Sequence, residues 1–284
     1  MRIFGHKAPP TAVIGLGIIL LNILVALIGP SLMRYSDTQI VGKMFQGISA
    51  TSWLGTDRIG RDILTRLVYG ARLTIGIALV TTLLSFAIGI TLGLIAAVTG
   101  RWIDVVLSRL VDIVLSIPSL IWALIILGIF GQSLTSLVLT LAFLDSTRVF
   151  RLARALGMNL AALDFVEVAR LRGEGLWWVV RREILPNAMA PLLSEFGLRF
   201  CFNFLLIAAL SFLGLGVPLP LSDWGGMVRD DMQSLALHQS VPSMFSASAL
   251  YPAAAIALLT VGINLVVDWF LSIDARPSGA QAEL

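Results

Sequence analysis

Long uninterrupted apolar runs constrain this chain more than any other feature. Residues 12–32, 73–98, 105–130, 188–215 and 249–271 are predominantly apolar. Each is about as long as the ~20 residues that an α-helix needs to cross the hydrocarbon core of a bilayer. A shorter run, 134–144, is extended by Val149 and Phe150. The runs do not alternate polar and apolar residues, which argues against a membrane barrel. Charged residues make up 13% of the 284, whereas soluble domains carry about 25%. The chain therefore reads as an all-α integral membrane protein with six transmembrane helices. The first run follows Arg2 and Lys7 and is too long for the apolar core of a cleaved signal peptide. It reads as a retained first span.

Several function classes drop out at this level. The net charge of +3 is modest and its basic residues are dispersed, so the partner surface is lipid, with no nucleic acid. Cys201 lies inside an apolar run and reads as a small buried hydrophobe. His6 and His238 are isolated, and no metal site is expected. No Gly-x-x-x-x-Gly-Lys-Ser/Thr run is present, so ATP phosphates are not cradled here by that device. No catalytic constellation and no bound cofactor are expected. A secondary transporter would call for an internal repeat and midplane acids; no repeat is visible, and no acid is expected near the middle of a span. With the N-terminus inside, the cytoplasmic segments collect twelve of the 20 Lys and Arg residues and the outer ones seven, which favours both termini in the cytoplasm. The expected division is a first helix within 1–33, an extracytoplasmic segment 34–71, a transmembrane domain 72–276 and a tail 277–284. Within it fall a loop at 164–187 and an outer loop at 216–248.

The loop at 164–187 is a charged island between apolar spans. From Arg148 to Glu183 there are seven arginines and four acids. A short helix is expected from Asp164, read as its N-cap, to Gly173 and Gly175. A second helix is expected from Trp177 to Ile184, interrupted at Pro186. Ala169 and Gly173, four apart, would leave one face shallow enough for close approach of another protein.

The pattern Glu167-x-Ala169-x-x-x-Gly173, followed by Ile184-Leu185-Pro186, resembles the "EAA" loop of bacterial ABC importer permeases. Val168 stands where that family has a middle Ala. Trp53-Leu-Gly-Thr-Asp57-x-x-Gly60-Arg61-Asp62, Asp104 to Asp112 with Ile117-Pro118, and Ser211-Phe-Leu-Gly-Leu-Gly-Val217 with Asp223-Trp224-Gly225 are similar to the second permease of dipeptide, oligopeptide and nickel importers. The resemblance runs from about 12 to 276 and departs at Val267 and Ser272. It implies a type I permease fold with a coupling helix that docks on an ATPase. Glu167, Val168, Ala169, Arg170, Arg172 and Gly173 would form the dock, and Ile184, Leu185 and Pro186 would set the loop's geometry. It also implies a homologous second permease, two ATPase subunits that use ATP and Mg, and an extracytoplasmic solute-binding protein. The site would be the bacterial inner membrane and the mechanism alternating access. The cargo implied is di- or oligopeptides, with nickel chelates, glutathione or opines as the alternative.

Three further sets of residues stand out. Glu195, Arg199 and Asn203 form a polar stripe at helical spacing, either lining the translocation path or pairing toward the second permease. Arg109 and Asp112, three apart, read as an ion pair that gates the inner mouth or braces it. Asp223 and Trp224 read as a contact for the external binding protein or as an interfacial anchor. Pro118 should kink the third span, and Gly89, Gly93, Gly214 and Gly216 allow close helix approach or bending.

Overall fold

The computed structural model describes residues 2–3, 6–7, 9–240 and 248–274. The tail 277–284, Arg276 and the 241–247 part of the expected outer loop lie outside the described residues. Apart from a two-residue antiparallel pair, β1 (Arg2–Ile3) with β2 (His6–Lys7), the described elements are helices. Helix α1 (Pro10–Leu32) opens on a proline, whose missing N–H has no partner to lose at a first helical position. Residues 33–62 form a folded cap at one end of the bundle, and α2 (Ile63–Thr99) runs the full length back. It starts ten residues ahead of the apolar run because Asp62 caps it, accepting a hydrogen bond from the Thr65 amide at 2.8 Å.

The third apolar run breaks in two, α3 (Arg101–Leu115) and α4 (Ser119–Phe130), bent by 86°. Pro118 has no amide hydrogen to give to the Val114 carbonyl one turn back. The Trp122 indole Nε1 donates to that carbonyl instead, at 3.0 Å. The expected kink is thus a full corner. It leaves α4 about 18 Å long, short of a bilayer's ~30 Å core. Helix α5 (Leu134–Ala161) follows, then the short α6 (Asp164–Leu171), a turn α7 (Leu176–Trp178), a π-helical turn (Val179–Ile184) and α8 (Leu185–Phe212). Helix α9 (Trp224–Ser240) lies at the cap end, and α10 (Leu250–Asp274) completes the chain. By length and apolar character α1, α2, Leu176–Phe212 and α10 qualify as spans, and the bent α3–α4 pair makes a fifth. Helix α5 has the length for a sixth, but Asp145, Arg148, Arg151 and Arg154 interrupt its apolar character. The expected six are therefore five by apolar length, with α5 added on length alone.

Helix α2 packs chiefly along α5, and α1 packs on α10 and α2. Glycine makes both crossings close. A Cβ at Gly89 would sit 2.7 Å from the Ser146 carbonyl, one at Gly93 2.7 Å from the Phe150 carbonyl, and one at Gly157 2.7 Å from the Ala97 Cβ. Gly15 and Gly262 bring α1 and α10 together in the same way. Small residues at such spacing let backbones approach where lipid supplies no hydrophobic drive.

Gly93→Leu should push α2 from α5 and lower the thermal midpoint in detergent by several degrees, a cost of about 2 kcal/mol or more from overpacking. Gly76→Leu, on the same helix with nothing near its would-be Cβ, should leave the midpoint unchanged. Equal midpoints for the two variants would refute the close crossing.

Candidate functional site

At the end opposite the cap, α6 and the turns after it form a knob. Leu163, not Asp164, is the N-cap of α6; Asp164 and Glu167 occupy its first turn, where the helix dipole favours acids. The helix ends at Gly173, whose φ of +83° suits glycine. Its amide donates to the Arg170 carbonyl at 2.9 Å, and the Glu174 amide reaches back to the Ala169 carbonyl at 3.2 Å. This pair of bonds is a Schellman cap, so Gly173 serves the local backbone.

Ala169 does not offer a shallow outer face. It is 0% exposed and packs with Val166, Val179, Val180 and Ile184 of the loop, Leu94 of α2 and Ala153 of α5. The reason is the helical period: Val166 and Ala169 form the buried stripe, and residues between them face out. The outer face carries Glu167, Val168, Arg170, Leu171 (81% exposed), Arg172 and, beyond the cap, Trp177. Leu171 and Trp177 were not singled out in the sequence, although two large apolar residues in a charged island were a signal. Arg172 lies 3.8 Å from Glu183 and over the Trp178 ring at 5.7 Å, which folds the second half of the loop back on the first. The expected interruption at Pro186 is absent. The wider π turn gives the proline ring room, and its last bond, from the Leu185 amide to the Val180 carbonyl, spans five residues. Ile184 is buried, and Pro186 passes inside a continuous helix.

The polar stripe of α8 is not alone. Asp145, midway along α5, is buried beside it, which corrects the expectation of no acid near the middle of a span. Its Oδ2 accepts from Ser85 Oγ and Asn203 Nδ2, both at 3.0 Å, and Asn203 Nδ2 also reaches Thr82 Oγ1 at 3.1 Å. Arg199 donates from Nε to Glu195 Oε1 at 2.5 Å and lies 3.8 Å from Asp145 Oδ1. Charges at such depth cost about 2.5–3.5 kcal/mol each on insertion scales, so they occur paired and facing protein or water. Helices α2, α5 and α8 are joined by this cluster. The run 134–144 hid it, because apolarity alone ends that span before Asp145.

Arg109 and Asp112 do not pair. Asp112 accepts from Arg151 at 2.6 Å, and Asp104 binds Arg154, so both acids of α3 are taken by α5. Helical spacing allows a contact within α3, but the crossing helix supplies arginines at the right height. Arg109 is left exposed.

Asp223 and Trp224 are buried, 3% and 2% exposed, and so offer no surface to an external protein. The Trp224 amide donates to Thr74 Oγ1 at 3.1 Å and its indole to the Leu67 carbonyl at 2.9 Å, with Phe204 packed edge-on at 6.0 Å. The Trp anchors α9 onto α2 and α8. Within the Gly- and charge-rich stretch 53–62, Asp57, Arg61 and Asp62 are likewise buried, whereas Trp53 and Ile59 are exposed. Asp57 accepts from the amides of Ile59 and Arg61, from Arg61 Nε and from Arg66 Nη1, the last two at 2.7 Å. Arg66 also lies 3.6 Å from Asp230 of α9. Burial works against the charged form of Asp57, but these amides and guanidinium groups outweigh it and hold its carboxyl below the usual 3.8.

The matching of residues 89–276 to the family of "binding-protein-dependent transport system inner membrane component" proteins covers well over half of this fold. The chain belongs to that family, whose members are membrane permease pore subunits of ABC transporters and are not themselves catalytic. Partners such as an ATPase and a solute-binding protein follow from membership. The chain is 38% identical to the dipeptide transport system permease protein DppC of Alkalihalophilus pseudofirmus over 264 residues, 92% of this chain and 84% of the relative. It is 30% identical to the glutathione transport system permease protein GsiD of Pectobacterium atrosepticum over 252 residues, 88% and 81% of the two chains. A chain of a crystallised amino acid ABC transporter with histidines shares the fold, at TM-score 0.51 and 21% identity over 73% of this chain and 94% of that one.

Asp231, buried among Arg66, Asp57 and Asp230, is pushed up to about 6, chiefly by burial. A raised acid contributes most to stability below its ordinary 3.8, and that contribution is lost as pH rises through about 6. Asp231→Asn should therefore stabilise the fold above pH 6, by on the order of 3 kcal/mol at most, seen as a raised thermal midpoint whose gain shrinks as pH falls toward 4. A midpoint difference independent of pH would contradict this.

Proposed function

We propose that this chain is one of two homologous permeases in an importer of di- or oligopeptides, with two ATPase subunits that hold ATP and Mg and a solute-binding protein that delivers cargo. The observation that carries the reading is the knob at the loop end: an exposed face with Val168, Leu171 and Trp177 amid Glu167, Arg170 and Arg172, set on a buried apolar base. A large apolar residue ringed by charge on a rigid mount is the anchor that a partner's cleft takes up. The loop, the N-terminus and the C-terminus would lie on the cytoplasmic face of the inner membrane, as the distribution of basic residues favours. Closure of the ATPases on ATP would draw the loops of the two permeases together and rock the bundles between inward-open and outward-open states. The peptide reading is supported by likeness to the DppC relative across most of both chains. Glutathione, a peptide with one γ linkage, is the second reading, supported by the GsiD relative.

Affinity purification of the tagged chain from its host should bring down a second permease and an ATPase, identified by mass. Leu171→Asp alters an exposed residue, so the fold and the second permease should be kept. Loss of a docking anchor worth about 2 kcal/mol corresponds to roughly thirtyfold weaker association, and the ATPase should be lost. Gly173→Trp should do the same by breaking the cap. A wild-type chain that comes down alone would overturn the reading.

A further inference from the structure

The cluster around Arg199 holds two carboxylates and one guanidinium. Arg199 gives its Nε to Glu195 and stands 3.8 Å from Asp145, whose Oδ1 is buried with no hydrogen-bond partner. Arg148, one turn further along α5, makes no ion pair with either acid among the described residues. The cluster thus holds two acids to one guanidinium. The Asp145 side chain is 4% exposed against α2 and α8, whereas Arg199 is 13% and Glu195 23% exposed. Phe202, next along the same face of α8, is half exposed and carries Arg199 at 5.0 Å from its ring centre.

Depth matters as much as charge. Arg199 is fourteen residues into α8, about 21 Å along a helix of about 42 Å, so it lies midway along that helix. Ionisable groups there face protein or water rather than lipid, and the open face of α8 is the side this chain leaves uncovered. Two carboxylates gathered around one guanidinium, in a place of low dielectric, favour a cation. On the peptide-importer reading, on which this step rests, such a cation arrives with each cargo molecule. Dipeptides, oligopeptides and glutathione all carry a free α-ammonium group.

We propose that Glu195, backed by the Arg199–Asp145 pair, receives the ammonium group of the cargo halfway across the membrane. The carboxylate makes a charge-assisted hydrogen bond to the ammonium, and Arg199 holds the carboxylate in place. Because Arg199 already neutralises part of the charge, the site holds the ammonium weakly enough to release it. A cargo with a blocked amino end gains nothing there.

The test uses the assembled complex in nanodiscs without its binding protein, probed by saturation-transfer NMR with alanyl-alanine and N-acetyl-alanyl-alanine. The wild type should give a signal with the free dipeptide at least fivefold stronger than with the blocked one. In Glu195→Gln, whose amide oxygen still accepts from Arg199, the two signals should become equal. Arg199→Gln, which releases the carboxylate, should keep or sharpen the preference. No wild-type signal, or a preference that Glu195→Gln leaves unchanged, would overturn the proposal. So would loss of the second permease from Glu195→Gln on purification, since the site would then hold a cation of that subunit. ATP-dependent uptake of alanyl-alanine by wild-type proteoliposomes with binding protein is measured in parallel. If uptake fails, the peptide-importer reading falls; if uptake stands and the preference does not move, only the role of Glu195 falls.

Discussion

Two helices in lipid gain nothing by hiding apolar surface from each other, since the tails they displace are as apolar as they are. What holds α2 to α5 must be contact at close range, and contact at close range needs backbone without side chains in the way. Gly89, Gly93 and Gly157 supply it, bringing the α2 backbone against the Ser146 and Phe150 carbonyls. The polar cluster depends on that crossing. Ser85 lies one turn from Gly89, and Asp145 beside Ser146, so the hydrogen bond from Ser85 to Asp145 exists only because the helices are this near. Asp145 in turn fixes Asn203 and Arg199 of α8.

The two ends of the bundle solve the problem of charge in opposite ways. At the cap end, Asp57, Arg61, Arg66 and Asp230 are withdrawn from water and satisfied by one another. Burying such groups is expensive, and partial removal would be more so; what they secure is the docking of residues 33–62 and α9 on the same stretch of α2. At the loop end, Arg170, Arg172, Arg181 and Arg182 stay exposed, and the apolar base beneath them holds the shape. A fixed cap and an accessible knob are what a chain needs if force enters at one end only.

Much of this was legible in the sequence. The apolar runs marked α1, α2, α8 and α10, and Pro118 marked the break between α3 and α4. Gly173 marked the end of α6, and the Glu195–Arg199 pair followed from helical spacing. What was not legible depends on neighbours distant in sequence. Asp145 looks like the end of a short span until Ser85 and Asn203 are brought to it from sixty and fifty-eight residues away. Arg109 and Asp112 looked like a pair because spacing within one helix says nothing about Arg151 on another. Trp224 looked like a surface anchor because an aromatic beside glycines in a polar loop has the same composition whether it faces water or fills the gap beside Gly70, where its ring carbon would stand 3.0 Å from an added Cβ.

The loop and the polar cluster are also parts of one piece. From Leu176 the chain runs through the π turn into α8 without a break, and Glu195 follows the end of that turn by eleven residues, about 17 Å. The base of the loop touches α2 through Leu94 and α5 through Ala153, the same two helices that hold Asp145 and Ser85 further along. A displacement of the knob would therefore travel toward Arg199 along one helical segment, past the π turn and Pro191. If α8 turned against the α2–α5 pair, the contact to register it would be the 3.8 Å gap between Arg199 and Asp145. That gap is longer than a hydrogen bond, whereas the Arg199–Glu195 contact within α8 moves with the helix. Rotation of α8 would change the distance to Asp145 and leave the bond to Glu195 intact.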